Sequence, residues 1–258
     1  MAGSRIGHVI AAGVLMLSMA ACVREVAGAP TAAPVQAELR PLSVTSGCAV
    51  EGDLEGRFSA PGQMPSYLEC VLPGVVQWLG SVYQRMPPPE AFVFVPRGFT
   101  GNDSGCELNA TVLQYCKPSR TVYFGEQAVW EQYTTFGDAA PAVIAAHEVT
   151  HHVQELLRMP QPTVPNDVIR YENQADCGAG AFMAYAREQG WLSVADDVED
   201  LAGSLQAAGE DDGPERTHGT IDERLRSFDL AYLSKTAQPM AACVPFVPEV
   251  PIITAQPR

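Results

Sequence analysis

The sequence predicts an α+β fold with a small β-sheet, on three observations. Two short runs rich in β-branched and aromatic side chains, Ala91-Phe92-Val93-Phe94-Val95 and Thr121-Val122-Tyr123-Phe124, are bounded by proline and glycine and read as strands. Behind them come two segments whose apolar residues recur at helical spacing, one around His147 and one around Ala175. A third helical segment follows Thr220. Strands first and helices afterwards describe α+β, not an alternating βαβ sheet.

Taken in order, residues 1–21 hold Arg5, an apolar stretch over residues 9–17 and small residues before Cys22, which is a secretory signal too short to span a bilayer as a stable helix. Residues 22–41 are rich in alanine, proline and valine without periodicity and predict a flexible tether. Residues 71–83 look helical, starting near Pro73. After the two strands, Pro141 suits a first helical turn, Asp138 supplies a cap, and the apolar pattern runs through Val153, Leu156 and Leu157 until Met159-Pro160 stops it. Three prolines make residues 160–165 a loop. A second helix starts at Asn166 or Asp167 and runs to about Gln189, with Gly190 in the left-handed position past its end. Gly178 and Gly180 each cost about 1 kcal/mol against alanine inside that helix, which predicts a close backbone approach there. Thr220-Ile221-Asp222-Glu223 is a capping box, opening a last helix with Leu225, Phe228 and Leu230 on its apolar positions. Residues 246–258 form a proline-rich tail, read as loose.

Within the first of the long helices lies His147-Glu148-Val149-Thr150-His151. Residues four apart on a helix stack on one face, so both imidazoles can reach one metal ion with Glu148 beside them. Catalytic zinc keeps three protein ligands and an open position for water. Glu172 is the candidate third ligand, because Asp176 lies one turn further along the same face, where it can fix the tautomer of a ligating histidine. Glu148 would be general base and then general acid, and His218, on a glycine-bounded turn before a helix, the donor to the developing oxyanion. His152 points about 100° away from His151 and reads as a supporting or surface residue, not a ligand. The plainer alternatives are two satisfied core histidines and a capping role for His218.

Cysteine usage fits export. Besides Cys22 there are Cys48, Cys70, Cys106, Cys116, Cys177 and Cys243, an even set that favours three disulfides in an oxidising compartment. Six cysteines allow about fifteen connectivities; Cys106–Cys116 is assigned as a short loop clip, Cys177–Cys243 as a fastening of the C-terminal segment, and Cys48–Cys70 by exclusion. Cysteine ligation of zinc has no CxxC spacing behind it. Loss of the leader removes Arg5 from 16 basic side chains and none of the 30 acidic ones, so electrostatic binding to nucleic acid or anionic lipid headgroups is excluded as a function class. Asp196, Asp197, Glu199, Asp200, Glu210, Asp211 and Asp212 read as a solvated helix face and its loop, with a calcium site as the alternative.

Two resemblances sharpen this. Met19-Ala20-Ala21-Cys22 resembles a bacterial lipobox, which implies cleavage before Cys22 and a diacylglycerol on its sulfur; a plain signal peptide with a spare cysteine is the alternative. The stretches His147-Glu148-Val149-Thr150-His151-His152-Val153-Gln154 and Glu172-Asn173-Gln174-Ala175-Asp176-Cys177-Gly178-Ala179-Gly180, then Asp211-Asp212, His218-Gly219-Thr220, Arg224 and Phe228, resemble the bacterial family described as putative neutral zinc metallopeptidases, over roughly residues 100 to 245. Asn173 stands where that family more often has leucine. The likeness implies a zincin-like fold with the motif helix packed on a second, ExxxD helix, Glu172 as third ligand, and an edge strand, here residues 121–124, that holds peptide by backbone pairing. The expected organisation is a lipoprotein signal over 1–21, a tether over 22–41, a metallopeptidase domain over 42–245 and a tail over 246–258. The expected function is a zinc endopeptidase exported to the extracytoplasmic face of the cell membrane, lipid-anchored there, acting on peptides or proteins with one catalytic zinc and no nucleic acid. The competing reading is a zinc-fold lipoprotein acting as a binding or adaptor module without turnover, against which the intact Glu148 argues.

Overall fold

A computed structural model describes residues 37–45, 54–191, 197–213 and 216–253. The expected signal, Cys22 and Cys48 lie outside these residues. Among the described residues, no helix is long and apolar enough to cross a membrane.

The sheet has four strands in the order β1 (Arg40–Pro41), β2 (Ala91–Val95), β6 (Thr121–Gly125) and β5 (Leu113–Cys116), and β3 (Thr100–Asp103) and β4 (Cys106–Asn109) form a separate antiparallel hairpin. β2 and β6 are parallel and the other two pairings antiparallel. Phe92, Phe94, Val122 and Phe124 face the helices, while Val93, Val95 and Tyr123 pack with Leu108 and Cys116 on the other side. Burial on both faces is why these strands read as continuous apolar runs instead of alternating ones.

Three expectations give way to the observed topology and packing. Residues 121–124 are an inner strand, bonded on both sides, and the edge strand beside α3 is β5; Leu113-Gln114-Tyr115-Cys116 lacks the β-branched density that marks a strand in sequence. Arg40–Pro41, placed at the end of the tether, pairs with β2 instead. At the other end the chain expected to be loose is held as far as Ile253, with Val247 and Ile252 buried and the Tyr83 hydroxyl donating 2.6 Å to the Ile252 carbonyl.

The first helix, α1, spans Met64–Val82 and not residues 71–83, with Pro65 in its first turn and Pro73 inside it. An interior proline costs about 3 kcal/mol. The buried stripe of Met64, Leu68, Leu72, Val75 and Leu79 outweighs that at about 1.5–3 kcal/mol for each large side chain. α2 (Glu126–Phe136) was not legible in the sequence. α3 (Ala139–Leu156) carries the histidine motif; Asp138 precedes it but does not cap it, its carboxylate accepting instead from the Leu54 backbone at 2.6 Å.

α4 runs from Pro165 to Glu188, so Pro165 occupies the first turn and does not close the loop, and Gly190 follows with φ 72°. After α5 (Asp197–Ala207), α6 spans Ile221–Tyr232 behind the capping box, Thr220 Oγ1 accepting from the Glu223 amide at 3.3 Å. Its buried residues are Arg224, Ser227, Phe228, Ala231 and Tyr232, and Leu230 is 52% exposed. Position 230 lies about 100° before 231, which turns it to the outer face. Disulfides join Cys106 to Cys116 and Cys177 to Cys243. Cys70 is also disulfide-bonded.

The two interior glycines of α4 set the helix spacing. A Cβ on Gly178 would lie 2.2 Å from Thr150 Oγ1 on α3, and one on Gly180 would lie 2.2 Å from the Phe228 carbonyl oxygen on α6. α4 is thereby clamped between α3 and α6. We predict that Gly180→Ala lowers the free energy of unfolding by about 1–3 kcal/mol, as overpacking against backbone does. Gly80→Ala, in α1 with nothing within 4 Å, serves as the control, since alanine there is the better helix former. Urea unfolding of both variants checks this, and equal midpoints would refute the clamp.

Candidate metal centre

His147 and His151 lie on the face of α3 that meets α4, and the antiparallel approach of the helices brings Glu172 opposite both. Nε2 of His147 is 3.2 Å from one Glu172 oxygen, Nε2 of His151 is 3.5 Å from the other, and the two Nε2 atoms are 3.1 Å apart. These three side chains form the one metal-competent group of His, Cys, Asp and Glu found among the described residues.

The outer nitrogens decide what these atoms can do. His147 Nδ1 lies 2.9 Å from Asp176 Oδ1, a fully buried carboxylate that can only accept while ionised. His151 Nδ1 lies 2.8 Å from Gln154 Oε1. The orientation of that amide is fixed in turn, because its nitrogen donates to the Tyr171 carbonyl at 2.9 Å and to Gln174 Oε1 at 3.1 Å, and Gln174 donates to the Cys243 carbonyl at 3.0 Å. Both imidazoles therefore keep a proton on Nδ1, and both Nε2 atoms face each other and a carboxylate, the position from which an extra proton is lost when a cation is bound.

Three such donors facing one another repel unless a proton or a metal cation sits among them. Their spacing also suits one: ligands about 2.0–2.1 Å from zinc in a tetrahedron lie about 3.3 Å from each other. The residues fit a zinc ion with two imidazoles and one carboxylate. Electrostatics agree. Burial pushes the His147 imidazolium down, but the bonds and charges of Asp176 and Glu172 together lift it to about 10. Burial likewise opposes ionisation of Glu172, yet the two imidazoles hold it well below the usual carboxylate range. This locus favours positive charge.

Glu148 lies beside the cluster, buried, its Oε2 accepting from the Tyr115 backbone N–H at 2.7 Å. Tyr115 is on the free edge of β5, so one amide of that edge orients the carboxylate. Burial raises the Glu148 pKa above its ordinary value. His152 is buried off the cluster, its ring nitrogens 2.9 Å from the Tyr115 hydroxyl and 2.9 Å from the Pro87 carbonyl, so it pins β5 to α3 and is no ligand.

His218 sits across the cleft, its Nε2 3.7 Å from Glu172. Its loop is held by Glu210, which accepts from the backbone N–H groups of Thr217 and His218 at 2.8 Å each. In sequence Glu210 reads as one of a solvated acidic run, with a calcium site as the alternative. Arg224 NH2 donates to Asp176 Oδ1 at 2.8 Å. Tyr115, Gln154 and Glu210 are functional supports that the sequence reading gave no role. Only Gln154 had a local signal, lying one turn beyond Thr150 at the end of the histidine motif. The cleft itself, about 370 Å³, runs between β5 (Leu113, Gln114, Tyr115) and the α3–α4 connection (Gln161, Pro162), with the metal cluster on its floor.

The family described as putative neutral zinc metallopeptidase matches residues 83–236, a span that begins earlier than residue 100 and takes in β2. The chain is similar to the uncharacterized protein YpfJ of Escherichia coli K12, 30% identical over 180 residues that cover 60% of this chain and 60% of the relative. It is also similar to the uncharacterized protein Rv2575 of Mycobacterium tuberculosis H37Rv, 30% identical over 147 residues, 46% of this chain and 50% of that one. The chain thus spans 60% or less of these curated relatives. No solved structure matches it.

A proton count tests the centre. With His147 lifted from its ordinary 6.5 to about 10, the metal-free site holds a proton at pH 7 that zinc must displace. We expect zinc binding at pH 7 to release about one proton, seen as a binding heat that varies with buffer ionisation enthalpy. The same shift stabilises the metal-free fold fully below pH 6.5, and the contribution is lost as pH rises through about 10. Buffer-independent heats would contradict this electrostatic account.

Proposed function

Since the chain belongs to the putative neutral zinc metallopeptidase family, with one zinc ion as its cofactor, we propose that it is an endopeptidase that hydrolyses peptide bonds in the cleft between β5 and the α3–α4 connection. The observation that carries this reading is Glu148, a buried carboxylate held by the Tyr115 N–H beside three convergent metal donors. A scaffold that only bound zinc would have no use for a further buried carboxylate beside the two imidazoles and Glu172.

Zinc, when bound, supplies Lewis acidity, polarising a peptide carbonyl and acidifying water. The chain's own residues do the rest. Glu148 accepts a proton from the attacking water, whose oxygen bonds to the carbonyl carbon. As the C–N bond breaks, Glu148 returns that proton to the departing amine nitrogen. Burial raises its pKa above the ordinary carboxylate value, which makes it a better proton acceptor than an exposed carboxylate. His218, positioned by Glu210 on the far wall, donates to the oxygen on which charge develops.

Substrate is held by strand addition to β5. In an antiparallel pair the outward-facing backbone groups belong to alternate residues. Tyr115 faces outward, so Leu113 does too. A peptide would pair with Leu113 and with the Tyr115 carbonyl, while the Tyr115 N–H stays on Glu148. Main-chain pairing gives affinity with little demand on sequence, which suits a general peptidase.

Export and lipid anchoring through Cys22 belong to the same proposal. Their support is the lipobox-like Met19-Ala20-Ala21-Cys22 and the presence of disulfides at Cys106–Cys116 and Cys177–Cys243, which persist in oxidising compartments.

Glu148→Gln should keep about one zinc per chain and lose peptide hydrolysis by about 100-fold or more, the scale of a general base. Metal analysis with a quenched-peptide assay reads both, and undiminished turnover would remove Glu148 from its role. Glu172→Ala should lose zinc as well as activity; full metal content in that variant would send the search for a third ligand elsewhere.

A further inference from the structure

We propose that Arg224 is a positioning residue of the zinc site, acting on the ligand His147 through Asp176; the proposal rests on the zinc reading above. Arg224 is the only buried lysine or arginine among the described residues, with a side chain 7% exposed, and it lies at the first complete turn of α6, four residues after the cap Thr220. Its NH2 donates to Asp176 Oδ1 at 2.8 Å, the same oxygen that takes the His147 Nδ1 proton at 2.9 Å. Its NH1 donates to the Ala208 carbonyl at 2.9 Å, at the start of the segment that carries Glu210 and His218.

The placement follows from helix packing. Gly180 faces Phe228, and one turn back on each helix Asp176 faces Arg224, so α4 and α6 run in the same direction in a fixed register. The glycine lets the backbones close, and closing delivers the guanidinium to the carboxylate. Asp176 is fully buried in a neighbourhood that also holds Glu172 and Glu148, so negative charge there needs a fixed cation. A buried arginine supplies that whether or not metal is bound.

With Oδ1 held between Arg224 and His147, the imidazole is locked with its Nδ1 proton outward and its Nε2 lone pair inward. Without Arg224 the carboxylate has no partner to hold it against α6, and the imidazole loses its fixed direction. The predicted effect is on metal affinity, because a ligand that must be reoriented binds more weakly. Loss of a partner behind a ligand of this kind costs about 10- to 100-fold in affinity.

The test is zinc dissociation constants, by chelator competition on the full chain, for Arg224→Gln, Arg224→Lys, Asp176→Asn and the double variant Asp176→Asn/Arg224→Gln. Arg224→Gln should bind zinc about 10- to 100-fold more weakly than wild type. Arg224→Lys, which keeps the charge but not both directed bonds, should fall between the two. In the Asp176→Asn background Arg224→Gln should add little, since its path to the metal is already cut. Wild-type affinity in Arg224→Gln overturns the proposal, and so does a full additive loss in the double variant, which would mean that Arg224 merely supports the fold. Should Arg224→Gln fail to fold, Arg224→Lys alone decides: several-fold weaker binding supports the relay and unchanged binding overturns it. Failure of wild-type chain to bind zinc would instead overturn the zinc reading itself.

Discussion

Two imidazoles forced to point their Nε2 nitrogens at each other are the constraint on which this molecule turns. Nε2 of His147 and Nε2 of His151 lie 3.1 Å apart, where one extra proton or a cation can sit between them and Glu172. Buried acceptors hold both rings in this orientation by taking each Nδ1 proton, one through Asp176 and the other through Gln154. Once the extra proton leaves, both Nε2 lone pairs are ligands, so the site's affinity for a cation depends on the hydrogen bonds behind the rings and not on the ligands alone.

Those acceptors are held from three sides of the fold. Gln154 belongs to an amide chain ending at the carbonyl of Cys243, and Cys243 is bonded covalently to Cys177 on α4, next to Asp176. The disulfide and the amide chain thus fasten one C-terminal segment to both ligand helices. On the other flank, α6 reaches α4 only because Gly180 has no side chain. Each such glycine costs about 1 kcal/mol of helix propensity; a single buried, charge-assisted hydrogen bond of the kind made by Asp176 is worth about 1.5–3 kcal/mol. The exchange favours the close approach, and it explains two glycines two residues apart in the middle of a 24-residue helix.

How much of this was legible follows the range of the interactions. The histidine motif, the carboxylates at 172 and 176, and the Thr220 cap are periodic within one or two turns of a helix, and each stands where local spacing put it. The edge strand did not announce itself, because residues 113–116 form a strand by pairing with β6 and not by their own preference. Which strand is outermost is a fact of topology, so Thr121 to Phe124, the better strand in sequence, is an inner one. Pro73 was misleading for a similar reason: tertiary burial of a five-turn stripe overrode a local breaker. Asp138 has the chemistry of a cap, yet its carboxylate serves the Leu54 backbone, 84 residues away. Arg224 and Glu210 act across such distances too, and nothing next to them in sequence reveals whom they serve.

In the function proposed above, the edge of β5 would tie substrate to chemistry. The strand gives one outward amide, that of Tyr115, to Glu148, and the Tyr115 side chain is anchored to α3 through His152 and Glu155. Any movement of β5 on substrate binding is therefore felt at the carboxylate. A rigid edge serves both needs, since an amide that shifted by 1 Å would release Glu148 from the position it needs to reach the attacking water. The Cys106–Cys116 bridge secures the far end of that strand to β4, so the short segment is held by a covalent bond at one end and by α3 along its length. Four residues of extended chain, too brief to be stable as a free edge, are stable here because everything that touches them is fixed.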